Sequence, residues 1–191
     1  MKAKILLEKP SNRLLGIIFI TTLILIFVFL ALFAPILDQF PPGAGLYDMK
    51  GAWTKENMDK IIRIWKKEDL DFYVDLMLVV HFIDGFFMID YGIAVFSGLL
   101  LVARLLSQQP KIQNFYIKLA FISWLATLLD VVEQINNLIM LSDPNNIQEI
   151  NVFAASLSTA LCVIVLYSCI ALMLIGFIIA FIFHFASIKK E

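Results

Sequence analysis

Four apolar runs, each long enough to cross a bilayer, dominate this sequence: residues 14–37, 73–103, 119–141 and 152–185. About 20 apolar residues in a helix span the roughly 30 Å of hydrocarbon. Hydrocarbon offers no partner to backbone N–H and C=O groups, so a crossing segment must bond internally as a helix or close into a barrel. Continuous runs of this length without alternation predict helices. The expected fold is all-α: a polytopic membrane protein forming a four-transmembrane-helix bundle, with residues 1–191 as a single membrane domain. Composition agrees, since 61% of residues are hydrophobic, 16% are charged and mean hydropathy is +0.87. A soluble domain sits near 45–50% and about 25%. An ordinary soluble enzyme, a disordered chain and a disulfide scaffold are thereby excluded. The net charge of −1 supplies no field to gather nucleic acid, so no nucleic-acid partner is expected.

Basic residues in the short flanks predict orientation. Lys2, Lys4, Lys9 and Arg13 precede the first run, Arg104, Lys111 and Lys118 join the second to the third, and Lys189 and Lys190 follow the fourth. The third link carries only Asp143 and Glu149. Both termini are therefore expected on the cytoplasmic side, with links one and three outside. The first run is too long for the apolar core of a signal peptide and is read as an uncleaved span.

The first link, residues 38–72, holds more than a linker needs. After the turn-prone Pro41, Pro42, Gly43 and Gly45, Thr54 suits an N-cap, with Glu56 in the first turn. Met58, Ile61, Ile62 and Trp65 recur at helical spacing, predicting a short amphipathic helix over 54–67. Its apolar stripe suits a helix resting on the membrane surface. The alternative is a lid over the mouth of the bundle. Trp53 and Tyr47 suit an interfacial aromatic belt in either case.

Ionisable groups inside the spans carry the functional signal, because each is costly in hydrocarbon and needs an interior partner. At about 100° per residue, Ser123, Thr127, Asp130, Glu133, Gln134 and Asn137 share a stripe about 120° wide on the third run. On the second run His81, Asp84 and Tyr91 share a face, Asp90 lies off it, and Asp75 sits at the interface. Antiparallel packing predicts a pocket in the outer half of the bilayer lined by His81, Asp84, Tyr91, Asp130, Glu133 and Asn137. Asp90, Gln134 and Thr127 are its secondary members, and Trp53, Met58, Ile61, Ile62 and Trp65 form its lid or interface. The polar residues of the fourth run, Ser156, Ser158 and Thr159, read as packing residues, and Ser158, Cys162, Cys169 and Gly176 as a helix-contact face. Cys162 and Cys169 are about 10 Å apart along a helix, too far for a disulfide.

A lone histidine beside carboxylates lacks the ligand set of a bundle metal site, so neither metal nor cofactor is expected. The reading that follows is a pocket binding a membrane lipid, or another lipid-like or small amphipathic molecule. One alternative is a proton- or ion-conducting homo-oligomer with the third span lining the pathway. Another is a membrane enzyme doing acid/base chemistry on a lipid, with His81 or Glu133 as base and Asp130 or Asp84 as acid.

The segment LYDMKGAWTKEN, then Asp75 entering the second span, then DVVEQINNLIML over 130–141, resembles an uncharacterised group of small four-span microbial membrane proteins. That resemblance implies the four-span plan and no particular activity. His81, Asp84, Asp130 and Glu133 are also similar in plan to the enclosed His and acidic residues of the emopamil-binding sterol isomerase type. Their spacing departs from it, and no Trp or Asn of the fourth span can be assigned.

Overall fold

The computed structural model describes residues 10–188, with side chains through Phe183. Lys2, Lys4, Lys9, Lys189 and Lys190, on which the expected orientation partly rests, lie outside the described residues. The described residues form six helices: α1 (Asn12–Leu37), α2 (Leu46–Lys50), α3 (Lys55–Glu68), α4 (Leu70–Leu105), α5 (Pro110–Ser142) and α6 (Glu149–Ile188). No strand occurs among them. α1, α4, α5 and α6 are each long and apolar enough to cross a membrane. The chain is a multi-pass, all-α membrane protein.

The helices outrun the apolar segments that predict them. α5 starts at Pro110, where a proline at the first helical position loses no hydrogen bond, and carries Lys111 and Lys118 before the apolar stretch begins. Hydropathy marks the part of a helix that suits hydrocarbon, not where its backbone bonding stops.

Internal contacts divide the chain into two compact units. One takes the described residues up to Leu25, Asp90–Ala126 and the chain from Ile164 onward. Its core centres on Leu99, Leu100, Val102, Tyr116, Cys169 and Met173. Arg104 ties α4 to the chain's start, donating to Pro10 O at 2.6 Å and Asn12 Oδ1 at 2.9 Å. Gly98 and Gly176 allow close approach here: a Cβ on Gly98 would lie 2.3 Å from Met173 Sδ, and one on Gly176 2.4 Å from Val102 Cγ1.

The other unit takes residues 26–89 and 127–163, so it includes the whole first link. Thr54 caps α3, accepting from Asn57 N–H at 3.3 Å. Met58, Ile61, Ile62 and Trp65 of α3 are buried at 4% exposure or less, inside a core with Phe33, Met77 and Met140. Trp65 stacks on Tyr73, touches Phe40 and donates Nε1–H to Ala44 O at 2.8 Å. This corrects the expectation of a surface-resting helix. The apolar stripe is spent on protein, and the basic residues Lys55, Lys60, Lys66 and Lys67 lie on its other faces. An indole whose N–H has a fixed acceptor is anchored in protein, not lying free in an interface.

Between α2 and α3 the chain makes a strained turn. Trp53 has φ 58°, a left-handed conformation that costs a bulky residue roughly 1–2 kcal/mol. Its N–H donates to Ser156 Oγ on α6 at 3.0 Å, and its ring meets Phe153 edge-on at 6.3 Å. The link is thus pinned to α6 as well as seated on its own core.

Candidate functional site

The site is assembled within the link-bearing unit, from α2, α4, α5 and α6. α2 is short, but its geometry is closed: Asp48 Oδ2 accepts from Gly45 N–H at 2.9 Å, and Leu46 and Met49 are buried. That leaves Lys50, the last residue of α2, to reach two carboxylates. Lys50 Nζ lies 3.0 Å from Glu133 Oε1 on α5 and 3.2 Å from Asp84 Oδ2 on α4. Glu133 is completely buried.

Neutral donors complete the network. Thr159 Oγ1 donates to Glu133 Oε2 at 2.6 Å, and Asn137 Nδ2 to Glu133 Oε1 at 3.3 Å. Gln134 Nε2 donates to Asp84 Oδ2 at 3.3 Å. Both oxygens of Glu133 are therefore engaged, as a buried carboxylate requires. Burial alone would pull the Lys50 ammonium below its ordinary value. The negative charges of Asp84, Glu133 and Asp130 outweigh it and hold Lys50 above that value. Lys50 is thus a charged structural strut, not a neutral amine available as a nucleophile.

His81 stands apart from this network. It is 3% exposed, and neither Nδ1 nor Nε2 has a hydrogen-bond partner among the described residues. It lines a groove of about 480 Å³, open to the outside, together with Leu78, Phe82, Gly85, Phe86, Ile89, Gln134 and Leu138. Among the described residues the lining is apolar except for the His81 ring and the Gln134 amide. Gly85 stands beside the amide, where an added Cβ would touch Gln134 Oε1 at 3.7 Å. A larger cavity of about 610 Å³ in the other unit is lined, among the described residues, by Leu105, Leu106, Gln108, Gln109, Phe177 and Phe181 with other apolar side chains.

The residues singled out from sequence divide accordingly. Asp84, Glu133, Gln134 and Asn137 share one network, and Asp130 adds its charge at Lys50. Thr127 Oγ1 bonds Met88 O at 3.4 Å, a helix contact. Tyr91 and Asp90 are buried and fall in the other compact unit. Their α4 positions share helical spacing with Asp84, but not its packing unit. Asp75 is exposed.

Sequence reasoning misses two members of the network. Lys50 enters it only within the segment LYDMKGAWTKEN, and Thr159 only as a packing residue. The available signal for Lys50 is its place after the apolar pair Leu46 and Met49 on a capped turn. Thr159 gives none, because an intrahelical hydroxyl looks the same whether it bonds its own carbonyl or a neighbour's carboxylate. Ser156 likewise holds the Trp53 amide as well as packing. Among the described residues no three His, Cys, Asp or Glu side chains gather as a metal site requires. No family model, curated protein or solved structure matches this chain.

Proposed function

We propose that this membrane protein binds a lipid-like amphipathic molecule, its apolar part lying in the groove between α4 and α5 and its polar part meeting His81. The observation that carries this reading is the His81 ring, buried at the groove wall with both nitrogens unpaired. An unsatisfied buried polar group costs about 1–3 kcal/mol, and a ligand that bonds it recovers that cost on binding. The exposed Phe82, Phe86 and Ile89 beside it would present an apolar rim to an acyl chain. The Lys50–Asp84–Glu133 network would then serve as the rigid support behind the groove. Its engaged oxygens favour binding over a proton-conducting path along α5, because a relay needs carboxylates free to exchange protons.

The basic flanks favour an arrangement with both termini cytoplasmic and the link outside, which would put the groove in the outer half of the bilayer. The test is native mass spectrometry of the full chain purified in mild detergent, beside His81→Leu. A discrete lipid mass on the wild type, lost in the variant, is expected. A wild type that carries no adduct, or an adduct equally retained by His81→Leu, would overturn the reading.

A further inference from the structure

Resting on that groove as the binding site, we infer that its ligand is an uncharged amphipath whose head is a hydroxyl, and not a fatty acid, an anionic phospholipid or an amine. The described residues that line the groove include no charged one. An ionised head group would enter low-dielectric surroundings without a counter-charge, the most costly way to bury a polar group. The nearest charges are already committed. Lys50 sits on Asp84 and Glu133, and the Glu133 oxygens also accept from Thr159 and Asn137. An anion would also approach two carboxylates, Asp84 and Glu133, that share one ammonium.

At the groove wall stand one buried, unpaired donor–acceptor ring and the Gln134 amide oxygen. A neutral imidazole presents an N–H on one nitrogen and a lone pair on the other. Gln134 gives one Nε2–H to Asp84, its Oε1 can accept, and a Cβ on Gly85 would touch that oxygen at 3.7 Å. A hydroxyl supplies the complement, because it accepts from the ring N–H while donating to Oε1, or donates to the ring's lone pair. The remainder of the wall, Leu78, Phe82, Phe86, Ile89 and Leu138, accepts a hydrocarbon chain.

Three probes of matched chain separate the classes: 1-monoolein, oleic acid and oleylamine, titrated against the purified full chain in mild detergent and read by native mass spectrometry. Monoolein is expected to bind at least about tenfold more tightly than the other two. His81→Phe should weaken it about tenfold. His81→Gln, which keeps a donor and an acceptor, should restore most of the affinity, and Gly85→Ala should weaken binding without altering the His81 ring. Equal or tighter binding of oleic acid or oleylamine overturns the hydroxyl assignment and leaves the groove standing as a site. Monoolein binding indifferent to His81→Phe and Gly85→Ala also overturns it. Binding of none of the three removes the groove reading itself.

Discussion

Lys50 Nζ lies 3.0 Å from Glu133 Oε1, and this contact joins the link to a fully buried carboxylate of α5. Removing one partner of such a pair leaves the other charge buried and uncompensated, at about 3–5 kcal/mol. Lys50→Met is therefore expected to lower the midpoint of thermal unfolding in detergent well beyond the effect of an exposed Lys60→Met. Adding Glu133→Gln to Lys50→Met should recover part of the loss, because the amide needs no counter-charge. An additive or worse double variant would mean that the pair is not energetically coupled.

The same ammonium sets a pH dependence. Folding raises the Lys50 pKa, so its stabilising contribution is fully present below the unfolded lysine value and is lost only as pH climbs through the higher folded value. Between about pH 6 and pH 9 the contribution should be constant, since an unfolded lysine titrates near 10.4. Amine acylation followed by peptide mass spectrometry at pH 9 should modify the exposed Lys60 and Lys66 and leave Lys50 largely unmodified. Equal labelling of Lys50 would contradict a buried, paired ammonium.

Thr159 has one hydroxyl proton and two acceptors in reach, Glu133 Oε2 at 2.6 Å and Ala155 O at 3.0 Å. The shorter contact, to the charged acceptor, takes the proton. Thr159→Val keeps the shape and removes the donor, and should cost about 2 kcal/mol, as for other bonds to charged groups. Thr159→Ser should stay near wild type in the same denaturation series.

Trp53 holds a strained backbone because its N–H is tied to Ser156 Oγ. Ser156→Ala removes that tie at about 1 kcal/mol. The local effect should exceed the global one. Limited proteolysis is expected to cut the variant faster near residues 51–55 while thermal unfolding shifts only slightly. Unchanged cleavage would mean that the turn is held by the Trp53–Phe153 ring contact instead.

Gly176 lies against Val102 and Tyr116, where an added Cβ would stand 2.4 Å from Val102 Cγ1 and 2.7 Å from Tyr116 Cζ. Tyr116 cannot easily yield, since its hydroxyl donates to Leu172 O at 3.0 Å. Gly176→Ala should destabilise by about 1–3 kcal/mol through overpacking. Gly16→Ala on α1 meets nothing within 4 Å and should be neutral or slightly stabilising, by helix propensity. Thermal unfolding of the two variants side by side checks the contrast.

The amino-acid sequence by itself determined the four spans, the helix of the first link and the polar stripe of α5. Each depends on neighbours within a few turns: runs of apolar residues, a Thr54 cap before a periodic stripe, and the angular spacing that places Ser123 through Asn137 on one side. Ser123, Glu133 and Asn137 are indeed buried at 1% exposure or less. Only the tertiary structure decided what those groups face. Lys50 meets Asp84 34 residues away, and Thr159 meets Glu133 26 residues away, through contacts that no helical period encodes. It also decided that the stripe of α3 buries against Phe33, Met77 and Met140, because an apolar stripe at helical spacing suits a protein core and a lipid surface equally well. The His81 ring was legible as an interior polar group. That it stands unpaired on a groove, while its neighbours pair with one another, follows from how α2, α4, α5 and α6 pack.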